Sequence, residues 1–171
     1  GGGSLGGGVW GRRGAGGSGG VPPAGRPRVG VLAAGDEIPR PGEPIAQDGV
    51  FNSAAFMLSA LLDQAGAQTV LLPVARDNTA SLTQSLAQAR QLDMLVTIGG
   101  ASVGTYDLVR SALDEVGLAL DFWKIAIRPG QPLLSGRLGY TSVIGLPGHP
   151  VASLVCSLVF VLPVLPAMIA I

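Results

Sequence analysis

Three glycine-rich loops and four acids are the residues in this chain whose types and spacing could do chemistry. The loops are Gly99-Gly-Ala-Ser-Val-Gly104, Arg128-Pro-Gly-Gln-Pro132 and Gly145-Leu-Pro-Gly-His-Pro150. Each follows an apolar run that reads as a strand, and the first and third lead into a segment that reads as a helix. Glycine-lined turns and helix amino termini expose backbone N–H groups that bind phosphates and other anions. Three such loops in one small domain point to a phosphorylated ligand. The acids are Asp36 and Glu37, directly after Gly35, with Asp77 and Asp107 further on. Carboxylates beside anion loops suit a divalent cation held between protein and phosphate, because Mg²⁺ prefers carboxylate, phosphate and water oxygens. Taken singly, Asp77 reads equally well as a turn residue and Asp107 as a complement to a helix dipole.

Other polar residues narrow the chemistry. Ser102 can donate its hydroxyl to a phosphate or close a local turn, and the glycines around it favour the ligand by allowing close backbone approach. His149 is the chain's one histidine. The glycine spacing matches neither a nucleophile elbow, a dinucleotide fingerprint nor a phosphate-binding loop of nucleotide hydrolases. Lys124 and Arg128, four apart in a strand-like run, share a face and either neutralise an anionic ligand or lie on a solvated surface. Cys156 is the single cysteine, set in an apolar run. It reads as a buried core thiol, and one cysteine suits a reducing, cytoplasmic setting.

The elements that must position these residues follow from apolar periodicity. Residues 28–34 read as a buried strand. A helix is expected over 53–65, with apolar residues at three- and four-residue steps, Asn52 or Ser53 as cap and Gly66 as terminator. Residues 69–74 form a second strand, and Asn78 or Thr79 caps a helix through Arg90. Met94–Ile98 is a third strand, and Leu108, Val109, Ala112, Leu113 and Val116 mark an amphipathic helix closed by Gly117. A strand over 120–127 follows, then a hairpin of 133–135 with 141–144 joined around Gly136 and Gly139. Alternation of this kind predicts an α/β fold, a three-layer sandwich whose mostly parallel central sheet carries helices on both faces. Ligands in such folds bind beyond the carboxyl ends of the strands. The loops after Ala34, Ile98 and Ile144 fall there.

Composition sets the domain limits. The first 25 residues hold 13 of the 27 glycines and are expected to be a disordered tail. Residues 27–171 carry eight basic against eleven acidic side chains, a net −3, which gives no electrostatic footprint for nucleic acid. No export signal is expected, because the amino terminus lacks an apolar signal core. Residues 151–171 have no charge and enough length for a bilayer. Pro163 and Pro166 interrupt them, so a buried helix ending near Pro163 with an apolar tail over 164–171 is the expectation, and a membrane role is not. The α/β domain is expected over 26–163.

These loops, in this order and spacing, resemble the molybdopterin-binding domain of the molybdopterin molybdotransferases, the molybdenum insertases to which the E domain of gephyrin is related. The matching segments are Gly35-Asp-Glu-Ile38, Pro41-Gly42, Arg76-Asp77, Gly99 to Gly104 with Asp107, Lys124 to Pro132, and Gly145 to Pro150. The resemblance implies binding of adenylylated molybdopterin, Mg²⁺-dependent release of AMP and transfer of molybdate to the dithiolene. It puts Glu37, Asp77 and Asp107 in the places of catalytic, metal-holding acids. The pterin and its phosphate would then be held by Gly35, Asp36, Gly99, Gly100, Ser102, Gly104, Lys124, Arg128, Pro129, Gly130, Pro132, Pro147, Gly148 and Pro150. A homo-oligomer, or the further domains of an insertase, would complete the site. The chain departs from the family pattern in having Ala33-Ala34 where Ser-Thr is usual, Asn52-Ser53-Ala54 for Asp-Ser-Asn, Asn78 for a second acid, Arg128 and Gln131 for two lysines, and His149 for an asparagine. Arg128 keeps its charge and Gln131 does not. The alternative implied by these changes is a module that binds molybdopterin without turnover, or a fragment of a larger insertase.

Overall fold

The computed structural model describes residues 25–35, 53–76, 78–99, 105–123 and 133–169, with backbone alone for 105–108 and 110. In chain order the elements are β1 (Arg28–Ala33), α1 (Ser53–Gln64), β2 (Gln68–Leu71), α2 (Thr79–Ala89), β3 (Met94–Ile98), α3 (Thr105–Glu115), β4 (Ala119–Trp123), β5 (Leu134–Leu138), β6 (Thr141–Leu146) and α4 (Pro150–Cys156). After α4 the helical path continues through a π-helical turn (Ser157–Val161), a 3₁₀ turn (Leu162–Val164) and α5 (Leu165–Ile169).

The strands form one sheet in the order β2-β1-β3-β6-β5-β4. β2, β1, β3 and β6 are mutually parallel, and β5 runs against both β6 and β4. The sheet is thus mostly parallel, as the alternation of patterns predicts. Side chains alternate across a strand, and that alternation divides the interior into two cores. Val29, Val31 and Ala33 of β1 join Met94, Val96 and Ile98 of β3 and Ile144 and Leu146 of β6 under α1 and the carboxyl-terminal helical segment. Leu32, Leu95, Val143 and Leu134 pack on the other face under α2 and α3. Gly30 leaves room on that second face: a Cβ there would run into the Leu92 side chain.

Local chemistry accounts for where the elements stop. Asn78 caps α2, its Oδ1 accepting from the Ser81 N–H at 2.9 Å. β2 stops at Leu71, short of the expected Val74, because Pro73 has no N–H for the ladder. Pairing resumes at one bridge, Ala34 to Ala75. The β5–β6 hairpin turns at Gly139 and Tyr140, and Gly139 supplies a φ of +61°. Gly136 lies inside β5 rather than in the turn, where a Cβ would press on the Ala119 carbonyl at 2.7 Å. β4 ends at Trp123, and residues 124–127 of the expected strand lie outside the described residues.

The largest departure from expectation is at Pro163. The helix does not end there. In a regular α-helix the missing N–H of Pro163 would leave the Val159 carbonyl without its partner and crowd it. The π turn shifts the pairing first: the Leu162 N–H donates to the Ser157 carbonyl, five residues back, and the Leu165 N–H then donates to Leu162. Pro163 is passed without a break. Residues Pro150–Ile169 are long and apolar enough to cross a membrane, yet their Cys156, Val161 and Leu165 are part of the first core. Two buried hydroxyls are satisfied within this segment. Ser153 Oγ donates to the Pro150 carbonyl at 2.9 Å and Ser157 Oγ to the Ser153 carbonyl at 2.6 Å, the back-bonding that serines use inside helices.

Two outcomes follow from the packing. Leu62 is 0% exposed and Phe56 of the same helix 63% exposed. Leu62→Ala should cost about 2–5 kcal/mol in a denaturant titration, and Phe56→Ala no more than about 0.5 kcal/mol; equal losses would contradict this assignment of faces. Burial also pushes the Cys156 thiol above its ordinary range. The neutral thiol's contribution is complete below the unfolded-chain pKa and is lost as pH rises through the folded one. A thiol reagent should therefore modify Cys156 only once denaturant is added, and stability should fall on the alkaline side.

Candidate functional site

The carboxyl ends of β1, β3 and β6 meet at one rim of the sheet. They are neighbours in the strand order, and β1 and β3 flank the point where the chain reverses direction across the sheet. From β1 the chain leaves toward α1 on the first face, and from β3 toward α3 on the second. The helices that follow β1 and β3 in the chain thus lie on opposite faces, and ligands in open α/β sheets usually bind beside such a switch point.

Backbone contacts tie the rim together. The Ala34 N–H donates to the Ile98 carbonyl at 3.0 Å, the Gly35 N–H to the Ala75 carbonyl at 3.2 Å, and the Gly99 N–H to the Leu146 carbonyl at 3.3 Å. Gly99 has a φ of +88°, a conformation that glycine adopts freely and other residues rarely do. A Cβ on Gly99 would also collide with the Ala34 carbonyl oxygen. A Cβ on Gly148 would lie 3.2 Å from the Gly99 Cα. Among the described residues, the strand ends of β1, β3 and β6 are thus packed backbone against backbone.

The flanks are fixed as well. Beside β2, the Arg76 N–H donates to Ser81 Oγ at 3.0 Å and the Arg76 carbonyl accepts from the Asn78 N–H at 2.7 Å. Both chain neighbours of Asp77 are therefore held at the first turn of α2. After β6, Pro147 is buried, Gly148 and His149 are exposed and Pro150 opens α4. His149 makes no side-chain cap bond; its carbonyl accepts from the Ser153 N–H at 2.9 Å.

Of the residues expected from sequence, the structure brings Gly35, Gly99, Pro147, Gly148 and Pro150 to this rim. The backbone of Asp107 lies in the first turn of α3. Asp36, Glu37, Asp77, Gly100, Ser102, Gly104, Lys124, Arg128, Pro129, Gly130 and Pro132 lie outside the described residues. Among the described residues no group of three or more His, Cys, Asp or Glu side chains could hold a metal. Sequence reasoning missed Ala34 and Ala75, whose carbonyls and N–H groups do the stitching. Their signal was present in two small residues at the ends of apolar runs, but a backbone contact leaves no mark on residue type.

Comparison with known proteins adds the following. Residues 30–167 match the family described as a probable molybdopterin binding domain. A molybdopterin molybdenumtransferase from Haemophilus influenzae is 37% identical over 129 residues, 75% of this chain and 32% of the relative. The crystal structure of a molybdopterin biosynthesis MoeA protein from Pyrococcus horikoshii superposes with a TM-score of 0.74 at 30% identity, over 85% of this chain and 36% of that one. The structure of a molybdenum cofactor biosynthesis protein B has the same fold, with a TM-score of 0.63 at 17% identity over 95% of its length. The chain spans about a third of the length of the curated relatives it matches.

The rim geometry generates one outcome. Gly99→Ala combines a left-handed φ, a cost of about 1–2 kcal/mol, with a backbone collision that no rotamer can relieve. A destabilisation clearly above 2 kcal/mol in a denaturant titration is expected, whereas a loss confined to the φ cost would show that the Ala34 carbonyl does not press on Gly99.

Proposed function

The chain belongs to the molybdopterin-binding domain family, and from that premise we propose that it binds adenylylated molybdopterin at this rim and inserts molybdate into the dithiolene as AMP is released. The observation that carries the reading is the meeting of the β1, β3 and β6 ends through Gly99 and Gly148. Glycines at the rim let a phosphate come close to the main chain, and the N–H groups that would receive it belong to the loops beyond the strand ends. Homologues named molybdopterin molybdenumtransferases support the enzyme class. The chain's share of their length makes turnover by this chain a proposal of its own.

In this reading the loop from Gly99 through Ser102 to Gly104 holds the phosphate, and the segments with Lys124, Arg128 and Gly130 and with Pro147, Gly148 and Pro150 hold the pterin. Gly35 and Asp36 complete the near side. The donor set of Glu37, Asp77 and Asp107 is all carboxylate oxygen, which fits Mg²⁺ and not a softer metal. Bound there, Mg²⁺ would neutralise charge on the phosphoryl oxygens. Molybdate enters as substrate. A cytoplasmic setting, and a second copy of the chain or further insertase domains as partners, are part of the proposal. The second reading is a module that binds molybdopterin without turnover. Its support is the neutral Gln131 in the second loop and the chain's third of the relatives' length.

Calorimetric titration with molybdopterin and its adenylate, with and without Mg²⁺, should show binding, and molybdate should trigger AMP release. Glu37→Ala, Asp77→Ala and Asp107→Ala should each lower that release on the order of 100-fold while thermal melting stays near wild type. Binding without any AMP release would select the second reading. Unchanged turnover in all three variants would remove the acid cluster from the mechanism.

A further inference from the structure

α1 and the segment Pro150–Ile169 lie against each other over the first core. Their outward faces expose Phe56 of α1 and, along the segment, Val151, Val155, Leu158 and Val159. The same line continues to the exposed Pro163 and Pro166. An outer helix face ordinarily carries charged and polar residues at such positions, yet no residue from 150 to 169 is charged. The π turn keeps this line straight. Cys156 and Val161 both enter the core although five residues separate them, and in an α-helix a five-residue step lands about 140° from its start. The wider turn over Ser157–Val161 takes up the extra residue. The buried line and the exposed line therefore both run on past Pro163.

A face of this kind narrows the choice of partner. It carries no charge to match an acidic or a basic surface. A helix lying on a bilayer would present lysine or arginine beside its apolar side, and a spanning one would have to pull Cys156, Val161 and Leu165 out of the core. A second copy fits. About a two-fold axis the same patch faces itself, and an uncharged segment brings no like charges together there. Asp63, the one charge on α1, lies at the end of that helix, its Oδ1 accepting from the Thr69 N–H at 3.1 Å. Size fits as well. The segment is about 30 Å long and α1 about 18 Å, each about 10 Å wide. Two copies face to face cover on the order of 1,000 Å², the least that a specific interface needs.

We infer that the outer face of α1 and the Pro150–Ile169 segment is a two-fold interface between copies of this chain, with Val155, Leu158 and Val159 at its centre. This gives the second copy named in the functional reading its surface. The test reads mass and not ligand, so either reading can fail without the other.

Sedimentation equilibrium of the full chain at micromolar concentration should give twice the chain mass. Val159→Glu sets two charges against each other in the interface and should weaken association on the order of 100-fold or more, leaving the single mass. Val159→Lys should do the same. A mixture of the two should recover the double mass, because each glutamate then faces a lysine. Val151→Glu, at the other end of the line, should also weaken association, and it decides the matter if position 159 proves to affect folding. Gln88→Glu, on the outer face of α2, should leave the double mass unchanged. Folding of each variant is read from Cys156, which is buried and stays closed to a thiol reagent while the core is intact. A wild-type chain of single mass throughout, charged variants that keep the double mass, or a mixture that stays single would each overturn the inference. Flotation of the wild-type chain with phosphatidylglycerol vesicles in place of self-association would overturn it in favour of a bilayer.

Discussion

The structure depends on the parallel alignment of β1, β3 and β6, whose carboxyl ends finish level with one another. The register pairs Ala33 with Ile98 and Ile98 with Leu146, so the last residue of each strand sits beside the last of the next. A slip of one residue would turn every side chain to the opposite face and mix the two cores. The apolar alternation that keeps Val29, Val31 and Ala33 on one side and Leu32 and Ala34 on the other therefore also levels the rim. Packing in the interior and the shape of the candidate site have a single cause.

The outer surfaces of the two helical layers differ in a way that follows from the same register. α1 and the segment from Pro150 to Ile169 carry one charged residue between them, Asp63, and expose Phe56, Val151, Val155, Leu158 and Val159. On the other face α2 exposes Gln84 and Gln88 between small alanines, with Thr79 and Thr83 half-exposed, and α3 ends in Asp114 and Glu115. Helices over a sheet need only one apolar stripe. A second stripe on the outside of one layer leaves more apolar surface than folding alone requires.

The fold was legible in the sequence because apolar period and glycine punctuation agree along most of the chain. Gly66 and Gly117, both with left-handed φ, close α1 and α3 as their positions suggest, and Asn78 caps α2. The bounds that differ do so where backbone chemistry outweighs hydropathy. Pro73 cuts β2 short although Leu72 and Val74 remain buried. At Pro163 the rule that proline ends a helix gives way to a π turn, a rearrangement that leaves no trace in residue type. The candidate site was legible in its glycines and less so in its scaffold. A glycine loop after a strand announces itself, whereas Ala34 and Ala75 act through main-chain atoms that every residue possesses.

The position of Ala33 and Ala34 bears on what their departure from the family pattern means. These residues are 1% and 2% exposed, one in each core. Their methyl groups point away from the rim and into the packing beneath it. A hydroxyl at either position of this chain would lie against apolar neighbours and need a hydrogen-bond partner there to offset its burial. Alanine at both removes that demand. The substitution thus alters the support under Gly99. The Ala34 main chain, which carries the contact, is the same whichever side chain is attached. The chain can lose both hydroxyls and keep the backbone rim, because the rim is made of carbonyls, N–H groups and the spaces left by Gly99 and Gly148.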